Sequence, residues 1–174
     1  ELKSIAQQDG IEELKPWDST YYSEKLKQQQ FNLSQEALKP YFPAPKVVQG
    51  LFQIVQRLYG IQIIERQAPV WQDDVRYFEI EDQGQVVGGF YFDLYARNGK
   101  RGGAWMSGFR SRVQTASGLQ KPVCYMVCNF TPPIGNQPAL LTHDEVITLF
   151  HEFGHGLHHM LTEVDNISVA GTHG

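Results

Sequence analysis

Little in this sequence points to a disulfide scaffold, a membrane span or a nucleic-acid binder. Two cysteines in 174 residues are too few for a disulfide framework. They are Cys124 and Cys128, four apart in a run that reads as a strand, Val123–Phe130. On a strand both side chains point to one face about 13 Å apart, beyond the reach of a mutual disulfide. They are expected as free, buried thiols, and reduced thiols suit a cytoplasmic protein. No apolar run approaches the roughly 20 residues of a membrane helix. The formal net charge is -4, so no basic excess draws nucleic acid or an anionic membrane surface. Internal repeats and low-complexity blocks are absent. The chain begins Glu1-Leu2-Lys3-Ser4, without Met and without the basic, apolar and small-residue succession of a signal peptide. That start suggests a piece of a longer chain.

The length and an apolar content of 41% allow one domain with its own core. The spacing of apolar residues divides it into three parts. Residues 1–60 read as helical. Asp18-Ser19-Thr20 supplies cap types before an amphipathic helix over 21–31. A second helix is predicted over 43–60, with Pro43 and Pro45 at its start and Gly60 at its end. Val47, Val48, Leu51, Phe52, Ile54, Val55 and Leu58 fall at helical spacing within it. Residues 61–138 read as strand-rich. Strands are expected over 61–64, 75–80, 86–95 and 123–130, with Asp82-Gln83-Gly84-Gln85 as a hairpin turn. Gly88 and Gly89 inside a strand suggest a bulge or a close backbone approach. Residues 97–103 form a basic, glycine-rich loop. It lacks the order of a phosphate-binding loop, so it is expected as a solvated hairpin loop, with a substrate-carboxylate contact as the alternative. Residues 139–174 hold a last helix and the start of the loop after it. The whole is expected to be α+β, a small, largely antiparallel sheet packed on helices.

The last helix carries the chemistry. Thr142-His143-Asp144-Glu145 fits a capping box. Val146, Phe150, Phe153, Leu157 and Leu161 then make an apolar stripe. Beside it stands His151-Glu152-Phe153-Gly154-His155. Two histidines four apart on a helix lie about 40° apart and one turn along. Their imidazoles can converge on one zinc ion with Zn–N distances of about 2.1 Å. Glu152 projects about 100° away. It is poorly placed to bind the same ion but well placed to reach a water beside it, as in the H-E-x-x-H motif. His151 and His155 are therefore candidate metal ligands and Glu152 the candidate general base.

A zinc site of this type needs a third protein ligand. His158 and Leu161 occupy the positions where a longer H-E-x-x-H-x-x-G-x-x-H pattern would have Gly and His. Glu163 sits at the end of the same helix and cannot fold back, and neither Asp165 nor His173 lies on a plausible second helix. The third ligand is expected past Gly174. His158 and His159 are read as packing or supporting residues, and His143 as solvated.

The active-site run through His159 resembles that of the thimet oligopeptidase and oligopeptidase A family of zinc peptidases, its bacterial branch above all. Pro16-Trp17-Asp18, Tyr41-Phe42-Pro43, Gly50-Leu51-Phe52 and Phe90-Tyr91-Phe92-Asp93-Leu94-Tyr95-Ala96-Arg97 agree in order. The resemblance covers nearly the whole chain. It implies an internal part of a longer, mostly helical enzyme that encloses a channel for short peptides and takes a Glu as third zinc ligand. A monomer with peptide substrates follows, with no nucleic-acid or membrane partner. The strand 123–130 would pair with the peptide backbone as an edge strand. Two other readings stand beside this one: an inactive fragment that lacks the third ligand, and a binding module that carries H-E-x-x-H by chance.

Overall fold

The computed structural model describes residues 1–31 and 34–173. Helices and a mostly antiparallel mixed sheet make it an α+β unit, as the apolar spacing predicts. Helices α1 (Leu2–Gln8) and α2 (Ser19–Phe31) come first. They share a small core of Ile5, Ala6 and Tyr22, with Leu2, Leu14 and Leu26 packed against it. The amphipathic stripe expected over 21–31 is not there. Tyr22 is the one buried residue among the described side chains of α2, because Glu24, Lys25, Lys27 and three glutamines leave too few apolar positions for a face.

Helix α3 (Gln35–Leu38) is capped by Ser34, whose Oγ accepts the Ala37 N–H at 3.1 Å. Helix α4 (Ala44–Tyr59) ends at Gly60, whose φ of 72° is the left-handed conformation that glycine tolerates best. Ala44, Val47, Val48, Leu51 and Val55 are buried. Ile54 and Leu58 share the expected periodicity but are 48% and 70% exposed. One face of the helix meets the sheet, and these two lie off it.

The main sheet has five strands: β1 (Gln62–Arg66), β2 (Arg76–Asp82), β3 (Gln85–Tyr95), β4 (Trp105–Arg110) and β7 (Val123–Phe130). Their spatial order is β1-β2-β3-β7-β4. The β2–β3 turn has positive φ at Gln83 (48°) and Gly84 (78°), the handedness that matches hairpin twist. Gly88 and Gly89 show both expected features. The ladder slips between Ile80 and Glu81, opposite this part of β3. A Cβ on Gly89 would collide with the Tyr77 hydroxyl, and one on Gly88 would lie 3.2 Å from Met160 Cβ.

Two features depart from the sequence reading. Strand β4 and the small hairpin β5 (Val113–Thr115) with β6 (Gly118–Gln120) were not expected. Trp-Met-Ser-Gly-Phe-Arg lacks the polar–apolar alternation of a half-buried strand, and β4 is largely exposed. In addition, β7 is not an edge strand. It lies between β3, to which it runs parallel, and β4, to which it runs antiparallel, so its backbone is paired on both sides. The edge is β4.

The last helix, α5 (His143–Met160), lies with α4 on one face of the sheet. Phe52 of α4 and Phe153 of α5 meet Phe78, Phe90 and Phe92, with centroids of neighbouring rings 5.0 to 6.0 Å apart. Such pairs add to area burial. The opposite face carries a row of partly exposed aromatics: Trp71, Tyr77, Tyr91, Tyr125 and Phe109. Among the described residues, no helix is long and apolar enough to cross a membrane.

Candidate active site

Helix α5 is held at its start by four hydrogen bonds. The Glu145 N–H donates to Thr142 Oγ1 at 3.1 Å, and the Thr142 N–H donates to Glu145 Oε2 at 2.8 Å. Gln35 Oε1 accepts the His143 and Asp144 N–H groups at 2.9 and 3.4 Å. The first turn's free N–H groups are thus satisfied by side chains. The stripe that faces the sheet is Leu149, Phe153, Gly156, Leu157 and Met160. It differs from the expected one at Phe150, which is 36% exposed while its neighbour Leu149 is fully buried. Gly156 explains the shift. A Cβ there would lie 2.9 Å from Met126 Sδ and 3.6 Å from Cys124 Sγ, so the helix sits down on β7 at this point and turns Leu149 and Met160 under it.

With that face buried, His151 and His155 stand exposed on the other side. Their Nε2 atoms are 3.1 Å apart, with ring planes at 90°. Two nitrogens bound to one tetrahedral zinc at about 2.1 Å lie about 3.4 Å apart. The pair converges to that separation within a few tenths of an ångström, so the donors fit such an ion. Between them in sequence, Glu152 is 8% exposed. It has no hydrogen-bond or ion-pair partner among the described residues. Burial, and after it the negative charge of Glu152, push the Cys128 thiol up to about 12. Burial does the same for Cys124. Both cysteines are free, as their spacing predicts.

No group of three His, Cys, Asp or Glu among the described residues could hold a metal ion. The Glu expected past Gly174 lies outside the described residues. His158 is exposed and lines an open cavity of about 300 Å³ with Tyr59, Gly154, Leu157, Leu161 and Thr162. His159 is buried and contacts the Arg110 carbonyl through Nε2 at 2.8 Å. His143 is exposed, with its ring 6.0 Å from that of Phe42.

The loop 97–103 is not a solvated hairpin loop. Strand β7 separates the two strands it connects, and two of its cations turn inward onto Asp93. Arg97 donates to both Asp93 carboxylate oxygens at 2.6 and 2.9 Å. Lys100 Nζ donates to Asp93 Oδ1, Asp93 O and Tyr95 O at 2.7 to 2.9 Å. Trp71 Nε1 adds a bond of 3.1 Å. Burial alone would raise the Asp93 carboxyl, but the bonds from Arg97, Lys100 and Trp71 outweigh it and hold the group below the usual carboxylate range. This cluster escaped the sequence reading. The signal was an Asp inside the apolar run of β3, which needs a buried cation, with Arg and Lys four and seven residues on.

The sequence matches the model of peptidase family M3 over residues 1–174. It is 54% identical to oligopeptidase A of Escherichia coli (strain K12) over 178 aligned residues, covering 100% of this chain and 26% of that protein. Organellar oligopeptidase A of Arabidopsis thaliana is 47% identical, over 98% of this chain and 23% of its own length. Dipeptidyl carboxypeptidase of Escherichia coli (strain K12) is 42% identical, over 97% and 25%. The chain thus spans about a quarter of the length of these curated relatives.

Proposed function

The chain belongs to peptidase family M3, and from that premise we propose that the whole protein is a zinc-dependent endopeptidase of short peptides, with residues 1–174 as part of its catalytic domain. The reading rests on one observation above all: two exposed imidazole nitrogens 3.1 Å apart on α5, beside a buried carboxylate that no described residue bonds. His151 and His155 would hold the ion through Nε2, with a Glu from past Gly174 as third ligand. Zinc held there would polarise the scissile carbonyl and acidify the attacking water. The Glu152 carboxylate takes the proton from that water and passes it to the leaving amine. The peptide backbone adds to the free edge of β4 rather than to β7, whose two sides are paired. A cytoplasmic location suits the two free thiols, and a monomer is the oligomeric state expected.

The test is metal removal from the full-length protein. Zinc is expected at one ion per chain, a chelator should abolish cleavage of an internally quenched peptide, and added zinc should restore it. His151→Ala and His155→Ala should each lose the metal. Full activity in protein stripped of zinc would overturn the reading. Residues 1–174 alone, which offer two ligands among the described residues, are expected to show no turnover in the same assay with zinc added.

A further inference from the structure

We propose that His159 is a positioning residue that locks the edge strand β4 to the histidine pair and so sets where an incoming peptide backbone lies. The inference rests on the reading above, in which the peptide adds to β4.

His159 is 1% exposed, one turn beyond His155 on the same helix. Its ring Nε2 lies 2.8 Å from the Arg110 carbonyl. A carbonyl oxygen accepts and never donates, so Nε2 carries the proton in this contact. Arg110 closes a bulge in β4. Between Gly108 and Arg110 the strand advances two residues while β7 advances one, from Cys124 to Val123. Phe109 is the extra residue, exposed and packed on Tyr125 with ring centroids 5.3 Å apart. A bulge at a sheet edge redirects the strand and re-aims the residues beside it.

Two glycines make room for this histidine from different segments. A Cβ on Gly108 would lie 3.0 Å from His159 Cε1, and one on Gly171 would lie 2.9 Å from His159 Cα. The second belongs to the 3-10 turn Gly171–His173, where the chain comes back over α5. A histidine that merely filled a hole would need neither a directed bond to a bulge carbonyl nor close glycines on two sides. Because one rigid helix carries both His155 and His159, a shift of β4 against His159 is a shift of β4 against His155. The sequence signal is faint: His159 differs from its exposed neighbour His158 only in which way the helix turns it.

The experiment uses the full-length protein. His159→Leu should raise KM about tenfold for peptides long enough to span β4, with kcat within about twofold and zinc stoichiometry unchanged. His159→Gln, which can present an N–H near the same place, should recover most of the loss. Gly108→Ala should push the ring aside and raise KM in the same way, but it should add little in a His159→Ala background, where the ring is gone. Hydrogen exchange at residues 108–110 should quicken in His159→Leu, and this readout needs no catalysis. Unchanged KM with unchanged exchange would overturn the proposal. A fall in kcat with zinc loss at constant KM would overturn it too, since His159 would then serve the metal and not the strand. Wild-type cleavage and its loss in Glu152→Gln test the underlying reading separately. If those controls fail, the proposal falls with that reading and not on the His159 data.

Discussion

The end of β3 and the middle of α5 each take a carboxylate out of solvent, and they treat it in opposite ways. Asp93 is 3% exposed and Glu152 is 8% exposed. Asp93 receives Arg97, Lys100 and Trp71. Glu152 receives no bond from any described residue. Burying a charge without partners is costly, so a fold that saturates one carboxylate and leaves the other bare separates two uses. The Asp93 region is built for stability: its cations close the end of the sheet, and Asn129 Nδ2 pins the same loop by donating to the Arg101 and Gly103 carbonyls at 2.8 and 2.7 Å. On the proposed reading, the unbonded Glu152 oxygens are the ones that would take the proton.

Substitutions at the two carboxylates should therefore fail in different ways. The largest effect belongs to Glu152. In the full-length protein, Glu152→Gln should lower kcat by about 10²–10⁴-fold, while the thermal midpoint stays within a few degrees of wild type. A large fall in stability with normal kcat would place Glu152 with Asp93 and erase the contrast. Next comes Asp93→Ala, which strands Lys100, a cation whose side chain is 4% exposed. Breaking a buried pair in this way costs about 3–5 kcal/mol, read from denaturant midpoints, while kcat per folded molecule should change little. The smallest effect is one of pH. The Asp93 carboxyl is depressed in the folded state. The stability it adds is fully present above its unfolded value, about 3.9, and is lost as pH falls through the lower folded value. Urea midpoints followed from pH 5 downward should therefore fall in wild type, and Asp93→Asn should flatten part of that slope. Equal slopes in the two proteins would remove Asp93 from the account of acid unfolding.

How far each region can be read from sequence follows the distance over which it is decided. The Thr142–Glu145 box, the Gly60 cap and the Gln83-Gly84 turn depend on residues within a few positions of one another, and the structure has each where its residue types place it. The approach of His151 to His155 is local in the same sense. By contrast, the full set of partners on Asp93 includes Trp71, which reaches it from 22 residues earlier. A run of Arg, Lys and Gly gives no hint of that. The choice of Leu149 over Phe150 for the core turns on how closely Gly156 approaches Met126 on another element. Strand β4 gives no strand signal because an exposed edge asks for no alternation, and no local pattern says that β7 will slot in beside it.

That slot has a consequence for synthesis. Strand β7 lies between two strands that both precede it in the chain. As the polypeptide leaves the ribosome, β3 and β4 emerge with a strand-wide gap still to be filled, and the histidine helix, which rests chiefly on β7, comes out after all of them. The strand that joins β3 to β4, and the helix that carries His151 and His155, are therefore the last strand and the last α-helix of this α+β unit to be synthesised.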